Sequence, residues 1–206
     1  MVLCSSNNNI SFPSTPWGIC SYLYGSRVYG TNTKYSDWDW IIVAWEAPTL
    51  NDPNHTFYTP SEFILQMQMH EISVLECLWL PEDCVQSGPF GDKWNPLEAW
   101  ELHLPTLRNS LSQKSSNSWV KAKKKLLQGD YHLGIKSLFH SFRILEFGTQ
   151  IATDGKITSY GAANWLWEEL MLLSKNQKAS WGELESLYKN QYNQLRTKFR
   201  LLAPKE

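Results

Sequence analysis

Tyr24-Gly25-Ser26-Arg27-Val28-Tyr29-Gly30-Thr31, followed by Ser36-Asp37-Trp38-Asp39-Trp40-Ile41-Ile42-Val43, decides how the rest of the chain is read. An apolar run, Ile19 to Leu23, leads into the Gly-Ser turn, and a second apolar run follows two aspartates set one residue apart. A strand over Trp38 to Trp45 places Asp37 and Asp39 on one face, because side chains alternate along a strand. Two carboxylates on one face repel, and a cation removes that repulsion. Hard oxygen ligands favour Mg²⁺, and Mn²⁺ suits the same set.

The turn supplies the complementary half. Gly25 lets the backbone approach a ligand closely, and exposed amides in such a turn bind phosphate. The Ser26 hydroxyl can hydrogen-bond a phosphate oxygen. An anion cradle beside a metal-binding pair suits a metal-bound triphosphate and in-line displacement at phosphorus. Taken singly, Asp-x-Asp and Gly-Ser are also ordinary turn chemistry; it is their combination at this spacing that points to a site.

With these residues in view, the sequence resembles the polymerase-β-type nucleotidyltransferase superfamily. The string Gly25-Ser26-Arg27-Val28-Tyr29-Gly30 with Ser36-Asp37-Trp38-Asp39 is most similar to its small "predicted nucleotidyltransferase" branch, which includes RNA-repair-associated members. The motif covers residues 19–45. The resemblance implies that Asp37 and Asp39 hold Mg²⁺ and that Gly25 and Ser26, with Arg27 beside them, hold the triphosphate of an NTP such as ATP. Many relatives carry a third carboxylate on a neighbouring strand. The expected strand His55 to Thr59 has none, so Glu76, within the apolar run Ile72 to Leu80, is the candidate, with Glu71 as runner-up. The run is short enough for a buried strand, and a carboxylate inside it requires a cation, a donor or water. An ion pair with a C-terminal Lys or Arg would serve equally.

Around this motif the chain of 206 residues is large enough to bury a proper core, and its 42% hydrophobic content is ordinary for a globular protein. Its net charge of −1 hides an asymmetry. Residues 1–100 carry three basic and eleven acidic residues, giving −8; residues 101–206 carry sixteen basic and nine acidic, giving +7. That division suits an enzyme gripping a polyphosphate, and it suits simple attraction between two subdomains. Cys4, Cys20, Cys77 and Cys84 lack zinc-ligand spacing. No signal peptide and no apolar run of about 18 residues are evident, so an intracellular, cytoplasmic protein without a membrane partner is expected.

The expected organisation is a flexible arm over 1–16, a catalytic core over 17–96 and a helical subdomain over 97–206. Within the core, Ala47 to Asn54 reads as a loop and a helix runs from Pro60 or Ser61 to about Glu71, with Ser61 as N-cap. In the second half, Leu97 to Leu104 reads as a short helix, Leu107 to Asn117 as a Ser-rich connector, and Trp119 to Leu127 as a helix. Its Lys121, Lys123, Lys124 and Lys125 make either a solvated face or a polynucleotide contact. Asp130 to Ala152 is apolar nearly all round and should be buried. On it Lys136, His140 and Arg143 share a stripe at i, i+4 and i+7. These three are candidate nucleotide-binding groups from the helical half, Lys136 and Arg143 holding phosphates. His140 is equally readable as a satisfied core histidine. Helices over Tyr160 to Leu173 and Trp181 to Leu202 complete the chain.

The expected fold class is therefore α/β (α+β): a nucleotidyltransferase-type mixed sheet with flanking helices, plus a C-terminal helical subdomain closing the cleft. The expected reaction transfers a nucleoside monophosphate from an NTP to an acceptor hydroxyl, RNA being favoured by the basic second half, and releases pyrophosphate. The alternatives are a non-catalytic nucleotide- or RNA-binding module of the same fold, and a transferase acting on a protein or a small molecule.

Overall fold

The computed structural model describes residue 13 and residues 17–46, 52–176 and 178–206. The expected arm over 1–16 (Pro13 apart), Cys4, and residues 47–51 of the expected loop lie outside the described residues. The described residues form a mixed α/β structure with a four-stranded mixed sheet and seven α-helices. They fall into two compact units, Met1–Glu101 and Leu102–Glu206. None of the helices is long and apolar enough to cross a membrane.

The first unit is built on the sheet. Strand β1 spans Gly18–Tyr24 and β2 spans Asp39–Ala44, antiparallel to it. β3, His55–Tyr58, runs parallel to β2. A short β4, Val85–Ser87, not anticipated from the sequence, pairs antiparallel with the other edge of β1, giving the order β3-β2-β1-β4. β1 and β2 are buried almost throughout, as their continuous apolar runs require. Between them Ser26–Tyr29 makes a single helical turn, α1, which Gly30 stops in the left-handed region at φ 76°.

Helix α2, Pro60–Gln68, lays Phe63 against Tyr22 with ring centroids 5.6 Å apart. Its N-cap is Thr59 rather than Ser61. The Thr59 hydroxyl accepts from the Glu62 amide while Glu62 reaches back to the Thr59 amide, a reciprocal box that Pro60 at the first helical position favours. The expected strand over Ile72 to Leu80 is also corrected: Ile72–Leu75 is a helical turn, α3, continued by 3₁₀ geometry over Glu76–Trp79. A short, fully buried apolar run carries no period by which to tell the two apart. The 3₁₀ turn Pro96–Ala99 replaces the expected helix over Leu97 to Leu104.

The second unit is helical: α4 Leu104–Leu127, α5 Tyr131–Asp154, α6 Asn164–Asn176 and α7 Trp181–Leu202. The Ser-rich connector expected over Leu107 to Asn117 does not exist; α4 runs unbroken through it. Leu107, Leu111, Ser115, Trp119 and Ala122 form one buried stripe at helical spacing. Ser115 occupies a core position because its hydroxyl donates to the Ser141 carbonyl at 2.7 Å and meets the Tyr192 hydroxyl at 3.0 Å. α4 and α5 form a close antiparallel hairpin. A Cβ on Gly134 would lie 2.5 Å from the Leu126 side chain, and one on Gly148 would lie 2.7 Å from Phe199 and 2.8 Å from Leu111. α6 begins at Asn164, four residues later than the sequence pattern implied.

Candidate active site

The two halves of the opening motif meet at the corner where β1 ends and β2 begins. Tyr24 and Asp39 are paired in the β1–β2 register, and directly opposed residues on antiparallel strands share a face. Gly25 follows at φ 84°, ψ −155°, a region essentially reserved for glycine. A Cβ there would lie 2.5 Å from Asp39 Oδ2. The missing side chain of Gly25 is therefore what lets the Gly-Ser backbone and the Asp39 carboxylate occupy adjacent space. The Val28 and Tyr29 amides fold back onto the Gly25 carbonyl at 3.0 and 3.1 Å and fix the turn. Ser26 is partly exposed at its head.

Asp37 is placed differently from the expectation. The strand starts at Asp39, so Asp37 lies in the Ser36–Trp38 segment ahead of it and is exposed, whereas Asp39 is half-buried. Strand alternation thus does not fix where Asp37 points. Arg27 holds this segment instead. Its Nε donates to the Asp37 carbonyl at 3.1 Å and a terminal nitrogen donates to the Ser36 carbonyl at 2.5 Å. Its guanidinium carbon lies 3.9 Å from the centre of the Trp38 ring. Arg27 therefore braces the Asp-x-Asp segment.

Glu76 is buried, and the Tyr29 hydroxyl donates to its Oε2. Although it lies on a 3₁₀ turn rather than a strand, it shares a neighbourhood with Asp39. The Tyr24 hydroxyl bonds the Thr56 side chain, and its pKa is raised first by burial and then by the negative charges of Asp39 and Glu76. Glu71 sits at the N-cap position of α3, half-buried. Among the described residues, no three His, Cys, Asp or Glu side chains cluster tightly enough to cage a metal ion by themselves. Mg²⁺ usually takes one or two carboxylates plus substrate phosphates and water. The donor set here, one half-buried and one exposed carboxylate beside a glycine-cleared cradle, fits that mode.

Tyr24, Tyr29 and Thr56 were not singled out from the sequence. Tyr29 had one available signal: it stands four residues after Gly25, so a single helical turn brings its side chain back toward the motif. Nothing local marks Tyr24 or Thr56, which meet through the register of three strands.

The second unit brings Lys136, His140 and Arg143 together on α5. Arg143 is buried, His140 half-buried and Lys136 exposed. The Arg143 Nε donates to His140 Nδ1 at 3.2 Å, so that nitrogen is an acceptor and the imidazole is neutral. Desolvation, then the Arg143 and Lys136 charges, hold the His140 pKa well below its usual value. Arg143 also lies over the Phe147 ring at 5.1 Å. Of the two readings of His140, its interactions within the helix agree with the satisfied core histidine.

No family model matches the chain, and neither a curated protein nor a solved structure matches it significantly.

Proposed function

We propose that the chain is a metal-dependent nucleotidyltransferase that transfers a nucleoside monophosphate from an NTP to an acceptor hydroxyl and releases pyrophosphate, with RNA as the favoured acceptor. The carrying observation is the approach of Gly25 to Asp39, which sets a phosphate-binding turn against a carboxylate with no side chain between them. In this reading Gly25 and Ser26 cradle the triphosphate, and Asp37 and Asp39 are the metal ligands. Arg27 keeps the Ser36–Trp38 segment in place. Mg²⁺ or Mn²⁺ bound there would supply charge neutralisation of the phosphates. The acceptor hydroxyl loses its proton to solvent as its oxygen bonds the α-phosphorus, and the bond to the departing pyrophosphate breaks. The +7 balance of residues 101–206 supports a polyanionic acceptor.

A second reading, nucleotide binding without transfer, draws on Glu76. β3 carries no carboxylate, and the nearest acid to replace one is already engaged by Tyr29. Incubation with each α-labelled NTP, Mg²⁺ or Mn²⁺, and short RNAs, the protein itself or a small alcohol separates these readings. Label should appear on RNA. Asp37→Asn and Asp39→Asn should each lower the rate at least about a hundredfold while the fold persists, since removing a metal ligand withdraws several kcal/mol of transition-state stabilisation. Unchanged transfer in both folded variants rejects the assignment; binding without label on any acceptor favours the second reading.

A further inference from the structure

Tyr29 and Glu76 are both buried, at 4% and 2% exposure, and the Tyr29 hydroxyl donates to Glu76 Oε2. The bond joins two segments 47 residues apart. Tyr29 ends α1, the helical turn that opens at Ser26 directly after Gly25. Glu76 opens the 3₁₀ turn after α3, between the buried Leu75 and Cys77. Its amide donates to the Ile72 carbonyl, so the carboxylate is presented from a backbone that is itself fixed.

A helical turn of four residues does not keep its place by its own hydrogen bonds. The Val28 and Tyr29 amides close it onto the Gly25 carbonyl, and Arg27 ties it to the Ser36 and Asp37 carbonyls. Those partners are local in the chain. The Tyr29–Glu76 bond instead fastens the turn to the distant 3₁₀ segment. A hydrogen bond to an ionised acceptor is among the stronger ones, and deleting its donor leaves a buried carboxylate oxygen short of a partner.

The same burial sets Glu76 apart from Asp37 and Asp39. Bound Mg²⁺ usually keeps several waters. A carboxylate at 2% exposure, with one oxygen already accepting from a phenol, gives a hydrated ion little access. Asp39 is half-buried and Asp37 exposed, as such an ion requires.

We propose that Tyr29 and Glu76 are a positioning pair: Glu76 acts through Tyr29 to hold the Gly25-Ser26 turn in the conformation that receives an NTP triphosphate, and it is not a metal ligand. The proposal rests on the nucleotide-site reading of that turn.

The test follows amide hydrogen exchange without nucleotide, and calorimetric binding of a non-hydrolysable NTP with and without Mg²⁺, in wild type, Tyr29→Phe and Glu76→Gln. Tyr29→Phe removes one oxygen from a packed ring, and it carries the test where Glu76→Gln does not fold. Glu76→Gln keeps an oxygen that can accept from Tyr29 but removes the charge a metal ligand would supply. In Tyr29→Phe the Val28 and Tyr29 amides should exchange at least about tenfold faster, while those of Ile41 to Val43 stay within about twofold. A general loss of stability would instead speed both sets. NTP affinity should fall about tenfold in Tyr29→Phe and by no more than about threefold in Glu76→Gln. The ratio of affinities with and without Mg²⁺ should stay that of wild type in both. A ratio that collapses in Glu76→Gln would make Glu76 a metal ligand and overturn the proposal. Unchanged exchange and affinity in Tyr29→Phe would overturn it equally. Wild type that binds no NTP, with the turn amides still freed in Tyr29→Phe, would reject the nucleotide reading while upholding the fastening of the turn.

Discussion

The two units deal with buried polar groups in opposite ways. In the helical unit several hydroxyls bond back to their own helix, while the buried Ser112 hydroxyl and Trp181 indole N–H have no partner among the described residues. Ser137 donates to the Leu133 carbonyl at 2.7 Å, Ser141 to Leu138 at 2.6 Å, and Thr153 to Thr149 at 2.9 Å. In the sheet unit the polar groups depend on one another across the chain. Tyr29 meets Glu76 from 47 residues away, and Asp39 and Glu76 both act on Tyr24. Back-bonded hydroxyls can be placed anywhere along a core helix, at modest cost, and do no chemistry. A cluster of acids and phenols at one strand end is costly to assemble without a purpose, which is why the sheet unit carries the proposed reaction.

The glycines sharpen this comparison. Gly25→Ala should have the largest effect of those considered. The new Cβ meets Asp39 Oδ2 at 2.5 Å and the backbone sits at φ 84°. We expect a stability loss of about 1–3 kcal/mol from the conformation alone, and a fall in nucleotide transfer of at least about a hundredfold, checked by urea unfolding beside label transfer. If alanine is tolerated with full transfer, the close approach has no functional meaning. Gly148→Ala probes the other unit. Its Cβ would press on Phe199 and Leu111, both fully buried. Overpacking of about 1–3 kcal/mol exceeds the roughly 1 kcal/mol that alanine gains over glycine in a helix. A net loss of up to about 2 kcal/mol should appear in unfolding, with NTP affinity unchanged. A shared effect on NTP affinity would break the separation of roles.

The smallest effect concerns pH. His140 is held neutral in the fold, its pKa lowered by desolvation and then by Arg143 and Lys136, whereas in the unfolded chain it titrates near 6.5. Below about pH 6.5 the unfolded chain binds a proton that the fold refuses. Stability should therefore fall as pH drops from that value toward the folded pKa, and be flat above it. His140→Asn should flatten this slope in thermal unfolding at pH 5–8. An identical slope in the variant would mean that other groups carry it.

Much of the sheet unit was legible because its signals are short-range. An apolar run ending in Gly25-Ser26, and another headed by Asp39, fix two strands and the turn between them within a few residues. What could not be read is where distant pieces meet. The run Ile72 to Leu80 is buried on all sides, so neither period shows, and Glu76 arrives beside Tyr29 on a 3₁₀ turn. Arg27, one residue from Ser26, read as a phosphate ligand, yet its fork is aimed at two carbonyls and a Trp ring. No local pattern distinguishes those uses of a guanidinium. In the helical unit α5 was evident from its apolar face, while the first half of α4 was read as a connector because it is rich in serine, Ser115 at a core position among them. The bond that makes a serine acceptable there comes from α5, 26 residues on.

The most direct measurement is a calorimetric titration of a non-hydrolysable NTP, with and without Mg²⁺, into wild type and Asp39→Asn. A nucleotide site made by the Gly25-Ser26 turn together with the Asp-x-Asp carboxylates predicts binding by wild type that is strengthened by Mg²⁺. In Asp39→Asn the affinity should drop at least about tenfold and the Mg²⁺ dependence should disappear, with the melting temperature nearly unchanged. Equal, Mg²⁺-independent binding by both proteins, or binding by neither, would contradict it.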